Sequence, residues 1–139
     1  MKQLTLTIES RTEQLIAVRN FVSVAAQDFG FNDEEVSKIA LAVDEACTNV
    51  IKHAYRFDAT KRLKVTIKPA RTRFEVLIAD TGLRFDPNNL QTPDMREYLR
   101  NFKQGGLGVY LMKTLMDEVE YHMTPGKKNE VRLVKYLRR

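Results

Sequence analysis

Apolar and polar residues alternate along several segments of the chain, as they do in half-buried β-strands. At the start, Leu4, Leu6 and Ile8 are separated by polar residues, so their side chains would share one face of a strand. The same period of two appears on either side of a turn near Pro69, and twice more towards the end. Its apolar positions there are Leu63, Val65, Ile67, Phe74, Val76, Ile78, Val119, Tyr121, Met123, Val131, Leu133 and Leu137. The pattern therefore predicts five strands.

In three other segments the apolar residues recur every three or four positions, which is the period of a helix. The first of these helices would be capped by Ser10 and would end near Gly30. The second would begin at Asn32 or Asp33, since either residue can cap it. The third follows a run of glycines at 105–108. The apolar faces comprise Leu15, Val18, Phe21, Val22 and Ala25, then Val36, Ile39, Ala40, Val43, Cys47, Val50 and Ala54, and finally Val109, Leu111, Met112, Leu115 and Met116.

The order of the predicted elements favours an α+β fold. Two helices precede a pair of strands, and the third helix lies between that pair and a final hairpin. The economical arrangement is a two-layer α/β sandwich, in which helices cover one face of a mixed, mainly antiparallel sheet. With 139 residues, 43% of them hydrophobic and 29% charged, the chain is expected to form a single domain over residues 1–139.

Composition and charge exclude several classes of function. The single cysteine, Cys47, rules out an intramolecular disulfide and a cysteine-cluster metal site. No apolar segment is long enough for a signal peptide or a membrane span, so we expect a cytoplasmic protein without a membrane partner. Basic residues gather near the end of the chain, but no exposed aromatic residues are interleaved with them. A solvated basic edge is therefore favoured over direct binding of a nucleic acid.

The second predicted helix carries the first candidate for chemistry. Glu45 and Asn49 are one turn apart and lie opposite the apolar face, yet Ala42 and Ala46 are among their neighbours. A helix that is apolar over most of its circumference is usually covered on more than one side. The carboxylate and the carboxamide would then line a site, although an ordinary solvated surface agrees equally well with this helix alone.

Two further segments contain groups that could bind a ligand. Residues 105–108 read Gly-Gly-Leu-Gly and lead into a helix, so their backbone N–H groups could approach a phosphate; a lid hinge or a tight helix start is the alternative. Asp80 ends a buried strand, and its carboxylate suits a donor such as an exocyclic amine; a simple strand-ending turn is the alternative. Between them, residues 83–104 show no sustained period, which is typical of a lid or a binding loop.

Taken in order, these segments resemble the nucleotide-binding boxes of the gyrase and histidine-kinase type ATPases, the GHKL superfamily. Residues 45–55 are similar to the N-box, residues 80–87 to the adenine-binding glycine box, and residues 105–108 to the second glycine box. Within the superfamily, residues 110–121 and 129–136 resemble those of the anti-sigma factor serine-protein kinases. The resemblance extends over essentially the whole chain and implies the histidine-kinase-like ATPase fold, with an ATP lid at about 83–104.

The resemblance also implies how ATP and Mg²⁺ would be bound. Asp80 would accept a hydrogen bond from the adenine amine, Gly82 would make room for the ring, and Asn129, where relatives often have threonine, would hold a water. Asn49 would give magnesium its protein oxygen, with phosphates and waters as the other ligands. The ATP phosphates would meet the backbone of Gly105, Gly106, Leu107 and Gly108.

By the same resemblance, the chain is a serine-protein kinase that works by partner switching. Glu45 would be the catalytic base that orients a serine hydroxyl of an anti-sigma-factor antagonist protein. The second partner would be a sigma factor held inactive, and Arg19 lies where relatives use a basic residue against their partners. The resemblance leaves open whether the chain forms a homodimer.

Two positions depart from the family pattern and keep other functions open. Arg84 replaces the second glycine of the first glycine box. Before the second box, where several relatives carry arginine, the chain has Lys103 and Gln104, and Lys103 would supply the charge to the nucleotide without the fork geometry of arginine. The alternatives are a nucleotide-binding regulatory module that sequesters a partner with little or no transfer, and a detached ATPase domain of a histidine kinase.

Overall fold

The structure is a computed structural model that describes residues 2–55, 58–80, 107–124 and 128–138. Its five strands form one sheet of order β1-β2-β3-β5-β4. They are Leu4–Glu9 (β1), Arg62–Ala70 (β2), Arg73–Asp80 (β3), Glu118–Thr124 (β4) and Lys128–Tyr136 (β5). All pairings among these strands are antiparallel, which confirms the mainly antiparallel sheet and leaves no parallel pair within the described residues.

Helices cover one face of this sheet. They are α1 (Leu15–Phe29), α2 (Asp33–Asn49), a single π-helical turn (Val50–Ala54) and α3 (Leu107–Leu115). α1 contacts β2, α2 contacts β3 and β5, and α3 contacts β4. In β2, Leu63, Val65 and Ile67 are buried on this side, whereas Lys64 and Lys68 are exposed on the other. The two-layer α+β arrangement, which the alternation of apolar and polar residues predicts, is therefore confirmed.

The start of α2 agrees with the prediction from the sequence, but the start of α1 does not. Asn32 caps α2, because its side-chain oxygen accepts a hydrogen bond from the backbone N–H of Glu35 at 2.8 Å. Ser10 was expected to cap α1, and this prediction is wrong. Its backbone N–H donates to the carbonyl of Lys61 at 2.9 Å, so Ser10 still belongs to the end of the sheet, and a 3₁₀ turn at Thr12–Gln14 precedes the helix.

Helix α2 lies at the centre of the helical layer. It packs against α1 and α3 as well as against β3 and β5, which confirms that this helix is covered on more than one side. Ala42, Ala46 and Cys47 are fully buried in it. Burial raises the pKa of the Cys47 thiol well above its ordinary value, so this cysteine acts as a small apolar side chain.

Gly30 ends α1 in a left-handed conformation, with φ of 115°, which a residue with a side chain rarely adopts. A Cβ at this position would also lie 3.3 Å from Cδ2 of Leu137. We therefore expect Gly30→Ala to lower the free energy of unfolding by about 1–2 kcal/mol. Urea denaturation would measure the change against Gln27→Ala, an exposed substitution on the same helix that should change stability by less than about 0.5 kcal/mol. Equal decreases in the free energy of unfolding in the two variants would contradict the prediction.

Lys135 connects the end of α3 to the start of α2. Its Nζ donates to the backbone carbonyl of Leu115 at 2.8 Å and lies 3.2 Å from the carboxylate of Glu35, although the lysine side chain is only 10% exposed. We expect Lys135→Met to lower the free energy of unfolding by about 1–3 kcal/mol, because the methionine fills the space but leaves both acceptors without this donor.

The same substitution at the exposed Lys64 of β2 gives the matched control for the Lys135 variant. Chemical denaturation of both variants would check the prediction. A loss of stability in Lys135→Met no larger than that in Lys64→Met would show that the contacts with Leu115 and Glu35 contribute little to the fold.

Candidate functional site

Asp80 and Asn129 form a polar pair inside the covered face of the sheet. Asp80 is the last residue of β3, and Asn129 lies directly opposite it in β5. The two residues are 2% and 1% exposed, and Nδ2 of Asn129 donates to Oδ1 of Asp80 at 3.0 Å. A buried carboxylate and a buried amide in contact are costly unless their polar atoms are used, so this pair is a candidate for ligand binding.

The register of two strands explains why this pair lies beneath the helices. In β3 and β5, Val76 is opposite Leu133 and Ile78 is opposite Val131, and all four are fully buried. Because side chains alternate along a strand, the next residues on that face are Asp80 and Asn129. The apolar column therefore ends in a carboxylate and an amide.

Helix α2 carries the other two predicted polar residues. Glu45 and Asn49 are half-buried and one turn apart, so they are not on a fully solvated surface. Nδ2 of Asn49 is buried and has no hydrogen-bond partner among the described residues. Immediately after Asn49 the helix widens into the π-helical turn, in which the N–H of Tyr55 donates to the carbonyl of Val50 at 2.9 Å. Such turns occur frequently at functional sites.

The glycine run precedes a helix, as the sequence predicts. α3 begins at Leu107, so Leu107 and Gly108 are in its first turn, where backbone N–H groups have no partner within the helix. α3 packs against α2, the helix of Glu45 and Asn49. Gly82, Lys103, Gly105, Gly106 and the predicted lid at 83–104 lie outside the described residues.

Arg19 projects from α1 with 53% of its side chain exposed, and its Nε lies 3.3 Å from Oδ1 of Asp44 in α2. Asp44 directly precedes Glu45, so the ion pair joins the predicted partner-binding residue to the neighbour of the predicted base. Sequence reasoning missed this contact, because α1 and α2 each have an apolar face but no pattern that fixes how their charged residues meet.

The structure thus brings some of the predicted residues together and leaves others untested. Asp80 and Asn129 are in contact, and α2, which carries Glu45 and Asn49, packs on the two strands that hold them. Within the described parts of the chain, no group of three or more His, Cys, Asp or Glu side chains could hold a metal ion. In the same residues, no helix has the length and apolar character needed to cross a membrane.

Comparison with known proteins agrees with this arrangement. Proteins named serine-protein kinase RsbW from Bacillus cereus (strain AH820) and Bacillus thuringiensis (strain Al Hakam) are each 29% identical over 142 residues, covering 99% of this chain and 87% of theirs. A crystal structure of the RsbU and RsbW domains of Rv1364c from Mycobacterium tuberculosis has a similar fold, with a TM-score of 0.68 at 16% identity. The likeness covers 99% of this chain and 32% of that one. Residues 8–135 match the histidine kinase-like ATPase domain, and the chain therefore belongs to that family.

Proposed function

We propose that this chain is an ATP-dependent serine-protein kinase that also acts as an anti-sigma factor. The buried Asp80–Asn129 pair carries the proposal, because it lies where the strands end beneath α2, the helix of Glu45 and Asn49. The likeness to serine-protein kinases over nearly the whole chain supports the same reaction. The phosphate acceptor is a serine of an antagonist protein, and the sequestered partner is a sigma factor. The protein acts in the cytoplasm.

The adenine of ATP binds at the end of β3. Asp80 accepts a hydrogen bond from the exocyclic amine of adenine, since a carboxylate held away from water is a strong acceptor for such a donor. Asn129 contacts the same carboxylate and therefore belongs to the adenine pocket. In this proposal Gly82 makes room for the ring beside the strand.

The phosphates and magnesium bind between α2 and the start of α3. Asn49 is the proposed protein ligand of the ion. Its Nδ2 is buried without a hydrogen-bond partner among the described residues, and rotation of the amide by 180° would put the side-chain oxygen, the atom that magnesium requires, in the place of this nitrogen. Bound beside Asn49, a magnesium ion would supply positive charge that offsets the charge of the phosphates. The backbone at Gly105, Gly106, Leu107 and Gly108 contacts the phosphates, residues 83–104 close over them, and Lys103 adds positive charge.

Glu45 is the catalytic base. It lies on α2 one turn before Asn49, and one turn of helix advances about 5.4 Å. Its carboxylate can therefore reach a hydroxyl group that approaches a phosphate held beside Asn49. Because phosphoryl transfer has a loose transition state, the main task of Glu45 is to align the serine hydroxyl in line with the leaving group and then take its proton.

Partner binding is assigned to the outer side of α1. Arg19 is exposed there and forms an ion pair with Asp44, which directly precedes Glu45 in the sequence. A partner that competes for the Arg19 guanidinium would therefore act next to the catalytic residue. The same surface could hold either the sigma factor or the antagonist protein, which is what partner switching requires.

The proposal is tested by incubating the purified chain with γ-labelled ATP, magnesium and a candidate antagonist protein. Acid-stable label on a serine of the antagonist, together with capture of a sigma factor by the same chain, is the expected result. Acid-labile label on a histidine would instead identify a detached histidine-kinase domain. Nucleotide binding and partner capture without transfer would identify a regulatory module. Absence of nucleotide binding would overturn the proposal.

A further inference from the structure

A buried lysine lies where two helices of the candidate site meet at their ends. Glu35 is in the first turn of α2, and Leu115 is the last residue of α3. Nζ of Lys135 lies 3.2 Å from the carboxylate of Glu35 and donates to the carbonyl of Leu115 at 2.8 Å. Because α2 and α3 also pack against each other, they run in opposite directions away from this lysine.

The other ends of the same two helices carry the residues proposed to meet magnesium and the phosphates. Asn49 ends α2, and Leu107 and Gly108 form the first turn of α3. Asn49 is 14 residues beyond Glu35, which corresponds to about 21 Å along the helix. Lys135 is therefore remote from the proposed nucleotide site, but it contacts both helices that form it.

Both contacts of Lys135 hold it firmly. Its side chain is only 10% exposed, and a charged group buried to this extent is unfavourable unless its hydrogen atoms are used. One acceptor is a carbonyl at the negative end of a helix, where backbone acceptors have no partner within the helix. The other is a carboxylate. The end of α3 and the start of α2 therefore cannot separate without leaving a buried ammonium group with unused donors.

We propose that Lys135 is a positioning residue, which holds α2 and α3 at the spacing that the phosphates of the nucleotide require. This inference rests on the proposed function, in which the phosphates bind between these helices. Closely packed interiors transmit a displacement rather than absorb it, so a change where the helices meet Lys135 also moves their other ends. A displacement of about 1 Å at reacting groups can cost about 10²-fold in rate.

Other contacts keep the end of α3 on the sheet when Lys135 is changed. The N–H of Asp117 donates to the carbonyl of Val134 at 2.8 Å, and its carboxylate accepts from the N–H of Tyr136 at 2.7 Å. These bonds join the segment after α3 to β5 but do not involve α2. Removal of the Lys135 ammonium group should therefore leave the fold in place and loosen the link between the two helices.

Two ligands and two variants test the positioning role. The affinities of ATP with magnesium and of adenosine, which has the adenine but no phosphate, are measured for Lys135→Met and for the exposed control Lys64→Met. In folded Lys135→Met we expect the affinity for ATP to fall about tenfold and that for adenosine to stay within about threefold. Single-turnover phosphoryl transfer should also slow about tenfold. A purely structural role would lower the stability but leave the ratio of the two affinities unchanged.

A second pair of variants removes the link from the side of α2. The carboxylates of Glu34 and Glu35 lie 3.5 Å and 3.6 Å from Nζ of Lys38, and Glu35 also reaches Lys135. Glu35→Ala should therefore lower the ratio of ATP affinity to adenosine affinity by about three- to tenfold, whereas Glu34→Ala should leave it unchanged. If Lys135→Met does not fold, this comparison decides the question.

The arginine variant provides a test by rescue. A guanidinium group has enough donors for both the carbonyl and the carboxylate, and a cleft of about 260 Å³ beside Glu35 and Lys135 gives room for it. Lys135→Arg should therefore recover part of the ATP affinity that Lys135→Met loses. Equal affinities for ATP in the two variants would contradict the positioning role.

The outcomes separate this inference from the proposed function. A wild-type chain that binds ATP, with the same ratio of ATP affinity to adenosine affinity in Lys135→Met as in Lys64→Met, overturns the role of Lys135 alone. A wild-type chain that binds neither ligand overturns the proposed function and this inference with it. A lower ratio in Lys135→Met and Glu35→Ala than in their two controls supports both.

Discussion

Replacing Glu45 with glutamine is expected to lower the rate of phosphoryl transfer by about 10²–10⁴-fold, the usual cost of losing a general base. Glutamine keeps the size of the side chain and its place on α2 but cannot take the proton of the serine hydroxyl. Glu45 has no role in holding the adenine or the magnesium in the proposed site. We therefore expect the affinity for ATP to stay within about threefold of the wild type, so that the loss is confined to the chemical step.

Single-turnover transfer of labelled phosphate to the antagonist protein measures the chemical step without interference from product release. Isothermal titration with ATP and magnesium measures binding in the same preparations. Glu34→Gln is the matched control, because Glu34 lies in the first turn of the same helix with 78% of its side chain exposed. Transfer by Glu45→Gln within about threefold of Glu34→Gln would remove Glu45 from the role of base.

The arrangement of layers could be predicted from the sequence because it depends on local periods. In β3, Phe74, Val76 and Ile78 alternate with residues of the opposite face, and all three are buried beneath the helices. In α2, a polar cap at Asn32 and a periodic apolar stripe define the start and the buried side of the helix. Both signals act within a few residues, so no knowledge of distant contacts is needed.

Contacts between distant segments could not be predicted in this way. The pairing of Asp80 with Asn129 joins residues 49 positions apart, and its register depends on how two strands align within the whole sheet. The error at Ser10 has the same origin. Serine is a good helix cap in general, but here the bond from its N–H to Lys61 continues the sheet and delays the start of α1.

The candidate site shows the same division between local and distant information. Each segment is recognisable by itself: the polar side of α2 with Glu45 and Asn49, the strand end at Asp80, and the glycines before Leu107. The orientation of the Asn129 amide becomes visible only when the two strands are paired. The contact between Asn129 and Asp80 therefore had to come from the structure.

Replacing Asp80 with asparagine is expected to weaken ATP binding by about 100-fold or more. The substitution removes a charge-assisted hydrogen bond to the amine and can place an NH₂ group against another donor. Asparagine has nearly the same shape, and an amide oxygen at this position can still accept from Nδ2 of Asn129, so the pair of strands should be preserved. The weaker binding should therefore appear as a higher KM for ATP, with kcat within about threefold of the wild type. The reason is that the adenine is bound equally in the ground state and the transition state.

A change of base preference distinguishes this explanation from general damage to the site. An amide can present its NH₂ group to a 6-keto purine, so the Asp80→Asn chain should bind inosine triphosphate better, relative to ATP, than the wild type does. Asp28→Asn, an exposed carboxylate on α1, is the control and should leave the ratio of the two affinities unchanged. If Asp80→Asn weakened ATP and inosine triphosphate by the same factor, Asp80 would support the strand end without recognising the base. The nucleotide would then have to be selected elsewhere.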